Sequence, residues 1–194
     1  MADSSKEPLG SFRFIPEYAT QIAHGGNHWT FLEYYINTSI WALANVSPAL
    51  GACMTSQIYT MNARLSALIA LLKLRQADQK LIAKVNKFAE HVRDAQDARN
   101  RIAHDMWLLD THNPGKMGKM RVTADKALKF NIKPVELDDL KADVQKINAR
   151  RLEFSAIRLE ITNALPTLPE IPHQELHPIV ESPSLPQTPS NNSQ

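Results

Sequence analysis

The chain has 194 residues, 43% hydrophobic and 22% charged, which suits one well-packed domain with a tail and excludes two large domains. A formal net charge of +2 permits a polyanionic partner but lacks the strong basic excess of many dedicated nucleic-acid binders. The single cysteine, Cys53, excludes an intrachain disulfide framework and a cysteine-based zinc centre; it is expected to be a small core residue in a cytoplasmic protein.

Met1 to Gly10 is polar and has no apolar run behind a positive cluster, so no secretory signal is expected, and residues 1–14 read as a flexible N-terminus. The first helical stripe is Trp29, Leu32, Ile36, Ile40 and Leu43, with Gly25 and Gly26 expected to interrupt or start it. Tyr34 to Asn62 carries no charge, but Asn37, Thr38, Ser39, Asn45, Ser47 and Pro48 break its apolar character. A buried helix followed by a turn at Ser47, Pro48 and Gly51 is expected rather than a membrane span.

Ile58, Met61, Leu65, Leu68 and Leu72 form a second stripe, and Leu81, Val85, Phe88, Val92, Ala95, Ile102 and Met106 a third. Beyond Pro134, a fourth runs through Leu137, Leu140, Val144, Ile147, Phe154 and Ile161. Four helices with short joins predict an all-α, up-and-down four-helix bundle over residues 15–165. Between the last two helices the period shortens to two. Met120 and Val122, then Leu128, Phe130 and Ile132, alternate with polar residues, predicting a small β-hairpin at about 117–133, turning at Ala124, Asp125 and Lys126. Its apolar face is expected on the bundle, with Lys119, Arg121, Lys129 and Lys133 on the outer face, where lysines commonly discourage edge pairing. Residues 166–194 hold seven of the twelve prolines and read as a disordered Pro/Ser-rich tail.

The third stripe contains an anomaly. At about 100° per residue Arg99 falls in line with Val92, Ala95, Ile102 and Met106, on a face that should be packed. A guanidinium there needs a partner or a solvent pocket, because a buried unpaired charge is costly. A structural salt bridge to Asp105 or Glu33 is one answer, and a second protomer facing this stripe is another. Asn100 and His104, four residues apart, lie one above the other beside Arg99.

Arg99-Asn100-Arg101-Ile102-Ala103-His104 resembles the motif of HEPN domains, in which an arginine and a polar residue precede a histidine across a three-residue spacer. Asp105-Met106-Trp107 strengthens the likeness. In residue identity the resemblance covers Arg99 to Trp107, and in architecture roughly Trp29 to Ala164. It implies a HEPN-like fold and a metal-independent endoribonuclease in which the RNA 2′-hydroxyl is the nucleophile.

Such chemistry needs a base, an acid and positive charge on the phosphate. Imidazole exchanges protons near neutrality, and a guanidinium can fork two N–H groups onto phosphate oxygens. The resemblance thus assigns catalysis to His104 and Arg99, with Asn100 orienting His104 or the phosphate, and suggests Arg101, Lys119, Arg121 and Lys129 as RNA contacts. One histidine per chain cannot easily be acid and base in the same step, so a homodimer pairing two motifs is expected, as in HEPN ribonucleases. The family context implies a toxin–antitoxin or phage-defence role, with an antitoxin or regulatory protein as a further partner.

Two readings compete. One is a non-catalytic HEPN-like module for dimerisation or protein interaction, in which Arg99 is bridged to a carboxylate. The other is RNA or nucleotide binding without cleavage, through Lys119, Arg121, Lys129 and Lys133. No cofactor is expected. No metal site is expected either, since His24 and His28 flank the glycine pair and His173 and His177 lie in the tail. Glycine-rich phosphate loops and a Gly-x-Ser-x-Gly elbow are absent from the sequence.

Overall fold

The computed structural model describes residues 15–109, 115–125 and 127–171, with the side chains of 121–131 outside that description. Residues 1–14, and the tail from 172 onward, therefore lie outside the described residues. The described chain is mostly helical, with a small antiparallel sheet. Its order is α1 (Pro16–Ala44), α2 (Pro48–Thr55), α3 (Met61–Leu74), α4 (Gln79–His104), β1 (Met106–Leu109), β2 (Met117–Asp125), β3 (Ala127–Val135) and α5 (Leu137–Ala164), then a 3-10 turn at Leu165–Thr167.

Local chemistry sets the helix ends. Pro16 and Pro48 start α1 and α2 where a missing N–H costs nothing. Ser47, Thr60 and Asp78 accept backbone N–H groups at the starts of α2, α3 and α4. Asn45 ends α1 in the left-handed conformation at φ 54°. The predicted stripes pack into one core: Leu32, Ile36, Leu43, Leu65, Leu68, Leu72, Val85, Phe88, Val92, Ile147 and Phe154 are all fully buried. Among the described residues, no helix is long and apolar enough to cross a membrane.

Several expectations change. Gly25 and Gly26 do not interrupt α1, which runs unbroken past both. A Cβ on Gly25 would lie 3.1 Å from Ile102 Cδ1 and 3.4 Å from Val144 Cγ2, so the glycine permits α1 to approach α4 and α5 closely. Pro48 and Gly51 belong to a short helix rather than a turn, with Ser47 as its N-cap. Gly51 is the point where α2 meets α1, since a Cβ there would overlap the Trp41 indole. Cys53 is exposed on α2, because that helix buries only Gly51 and Thr55. The ordered chain continues past 165: Arg75, itself buried, donates to the carbonyls of Leu43 and Leu168 at 3.0 and 3.4 Å.

The hairpin is part of a three-stranded sheet in the order β1-β2-β3. Met106 does not extend the α4 stripe, because α4 ends at His104, Asp105 turns to extended geometry, and Met106 opens β1 with its side chain 49% exposed. The sheet's orientation is also the reverse of that expected. Register aligns Trp107, Lys119 and Lys133 in one row, and Met106, Met120 and Ile132 in the next. Trp107 and Met117 are buried while Ile132 is 63% exposed, so the lysine row lies on the face turned toward the helices. β1 starts two residues after the helix, and burial of the Trp107 ring sets its parity. The side chains of Val122, Leu128 and Phe130 lie outside the described residues.

Candidate active site at the end of α4

The last turns of α4 gather the three motif side chains. Arg99 Nη1 lies 3.0 Å from His104 Nε2 and donates to Asn100 Oδ1 at 3.2 Å. A guanidinium only donates, so in this arrangement Nε2 offers its lone pair and Nδ1 carries the ring proton. Asn100 and Arg99 are half-buried and His104 is exposed. The Arg99 guanidinium carbon also sits 5.9 Å from the centre of the Trp29 ring, a cation–π placement that ties it to α1.

Arg99 does not occupy the packed stripe as the projection expected. The buried positions step through Val92, Ala95, Ala98 and Ile102, which puts Ala98 in the core and Arg99 on its flank. Neither proposed salt bridge to Arg99 is made among the described residues: Glu33 pairs with Arg64 at 2.7 Å, and no ion pair joins Arg99 to a carboxylate. The stripe itself faces this chain's own core.

Trp107 fastens the helix end. Its indole N–H donates to the Ile102 carbonyl at 3.0 Å, satisfying one of the acceptors that a helix C-terminus leaves open. Tyr18 of α1 meets the same ring edge-on, with centroids 6.4 Å apart, and donates its hydroxyl to the Val135 carbonyl at 2.7 Å. Burial raises the Tyr18 pKa above 10.0, which keeps this donor protonated.

Of the suggested RNA contacts, Arg101 and Lys119 border the same cleft. Arg101 points to α5, where Asp143 accepts from it at 3.2 and 3.3 Å. Lys119 is half-buried, with its ammonium 4.3 Å from the centre of the Trp107 ring. The backbones of Arg121 and Lys129 lie in β2 and β3, opposite Asn131 and Thr123, but their side chains fall outside the described residues. Because α1 is continuous, His24 and His28 are neighbours on one helix face after all, with ring centroids 6.3 Å apart. Among the described residues, no group of three or more His, Cys, Asp or Glu side chains could hold a metal ion.

Sequence reasoning missed two parts of this site. Trp29 appeared only as a core residue, and its contact with Arg99 depends on how α1 crosses α4. Trp107 was part of the motif likeness, but its capping role needed the break at Asp105. Comparison with known proteins finds no matching family model, no matching curated protein and no matching solved structure.

Proposed function

We propose that this chain is a HEPN-like, metal-independent endoribonuclease acting as a homodimer, with Arg99, Asn100 and His104 as its catalytic residues. The four long helices fit the up-and-down bundle of that family. The observation that carries the reading is the 3.0 Å approach of Arg99 Nη1 to an exposed His104 Nε2, without a carboxylate partner for Arg99 among the described residues. A structural salt bridge would have occupied the guanidinium.

In the reaction His104 Nε2 accepts the proton of the RNA 2′-hydroxyl, and the 2′-oxygen bonds to phosphorus as the bond to the 5′-oxygen breaks. Arg99 donates to the phosphate oxygens as charge builds on them, and Asn100 holds the guanidinium between phosphate and imidazole. His104 of the partner subunit protonates the departing 5′-oxygen. The products are a 2′,3′-cyclic phosphate and a 5′-hydroxyl.

Apolar surface next to the motif supports a dimer there. Met106, two residues beyond His104, is 49% exposed and Ile132, in the same row of the sheet, 63%, an exposed apolar pair beside each motif that a second copy could cover. A toxin or phage-defence role in the cytoplasm, restrained by an antitoxin or regulatory protein, follows from the family context.

The test is cleavage of single-stranded RNA by Arg99→Ala, Asn100→Ala and His104→Ala beside the wild-type dimer. Loss of at least about a hundredfold in the arginine and histidine variants is expected. Equal, undetectable cleavage by all four well-folded dimers would instead favour the non-catalytic interaction module.

A further inference from the structure

Around the helix from His104 lies a cleft that the proposed chemistry does not use. It has a volume of about 320 Å³ and is lined by Arg101, Asp105, Lys119, Lys133, Pro134, Val135 and Asp139. Three elements build its charged walls: the end of α4, the paired strands β2 and β3, and the first turn of α5. Its size is at the lower end of the range of small-molecule sites.

Lys119 and Lys133 are directly opposite in the antiparallel register, a placement in which like charges repel. The face of Trp107 fixes the Lys119 ammonium at 4.3 Å. Lys133 and Asp139 are exposed, line the same cleft, and form no ion pair with each other or with any described residue. Lys133 and Asp139, facing one cavity without joining across it, leave room for a ligand that satisfies both. Pro134 and Val135 add an apolar surface between them.

A nucleotide has that composition, with an anionic phosphate for the two lysines, a flat base for the Pro134 and Val135 surface, and polar base edges. We propose that this cleft holds a guanine nucleotide of the RNA strand flanking the scissile phosphate. Its N1–H and N2–H groups, adjacent on one edge, fork onto the two oxygens of Asp139, while the phosphate lies across Lys119 and Lys133. The identity of the ligand as an RNA substrate rests on the ribonuclease reading; the charge arrangement does not.

The experiment uses the full chain and 2′-O-methyl RNA pentamers, which cannot be cleaved, with either one central guanine or uracil throughout. Wild type and His104→Ala should both bind the guanine oligomer about tenfold more tightly, the low end expected for one bidentate base contact. Asp139→Asn should erase that preference. Lys133→Gln should weaken both oligomers and reduce the salt slope by about 0.7, the value for one phosphate contact on a single strand. Equal wild-type affinities for the two oligomers, a guanine preference that survives Asp139→Asn, or an unchanged salt slope in Lys133→Gln would overturn the proposal. Guanine-selective binding that follows these variants, without cleavage of ordinary RNA, would uphold the cleft and defeat the ribonuclease reading. Cleavage with no guanine preference in binding would do the opposite.

Discussion

The Trp107 indole donates to the Ile102 carbonyl at 3.0 Å, tying the first strand to the last turn of the helix that carries Arg99 and His104. The ring also supports the Lys119 ammonium on one side and meets Tyr18 on another. One side chain thereby joins α1, α4 and the sheet. Trp107→Phe keeps much of the apolar contact but leaves the Ile102 carbonyl without that donor. A loss of about 1–3 kcal/mol in unfolding free energy is expected, the cost of an unsatisfied buried acceptor. Urea unfolding measures it, and an unchanged midpoint would remove the cap from the account.

Gly51 gives a second stability test. Glycine to alanine inside a helix normally gains up to about 1 kcal/mol. At this position the added methyl would overlap the Trp41 ring, whose N–H donates to Thr55 Oγ1 at 3.1 Å. Gly51→Ala should therefore destabilise, by about 1–3 kcal/mol, as overpacked cores do. Thermal unfolding followed by tryptophan fluorescence would detect both the loss and the moved indole.

A pH effect follows from His28, half-buried on α1. Burial first, then the charge of Arg151, then His24, lower its pKa below 6.5. The unfolded chain consequently binds more protons at this position than the native state as pH falls through 6.5. The stability contributed by neutral His28 is present above 6.5 and is lost as pH falls toward the lower folded value. In urea titrations at about pH 7 and 5, His28→Gln should show a smaller drop in midpoint than wild type, since glutamine does not titrate there. An equal drop would place the acid sensitivity elsewhere.

The proposed composite site predicts no rescue between subunits that carry different variants. Arg99→Ala and His104→Ala homodimers should each be inactive, and a mixed dimer should stay well below wild type, because each chain's imidazole performs one proton transfer. Sedimentation at tens of micromolar showing only monomer would contradict the shared site.

The helices were readable because their apolar residues recur along long segments, and Leu32, Leu68, Phe88 and Phe154 all entered the core. The end of α4 was not, since Met106 continues the helical spacing while Asp105 has already turned to extended backbone. That break also reversed the sheet: alternation identified the rows of β2 and β3 but could not say which faces inward. Burial of Trp107 decides it, and with it the place of Lys119. Proximity of Arg99, Asn100 and His104 was legible from helical spacing alone. The cleft was not, because Lys133 and Asp139 become neighbours only after the chain turns from β3 into α5.

The central claim is cleavage by internal attack of the RNA itself, and the chemical ends of the products test it most directly. Purified protein incubated with mixed RNA in excess EDTA should yield 2′,3′-cyclic phosphates and 5′-hydroxyls, with both lost in Arg99→Ala and His104→Ala. Products with 5′-phosphates, or cleavage that persists in the His104 variant, would contradict the mechanism.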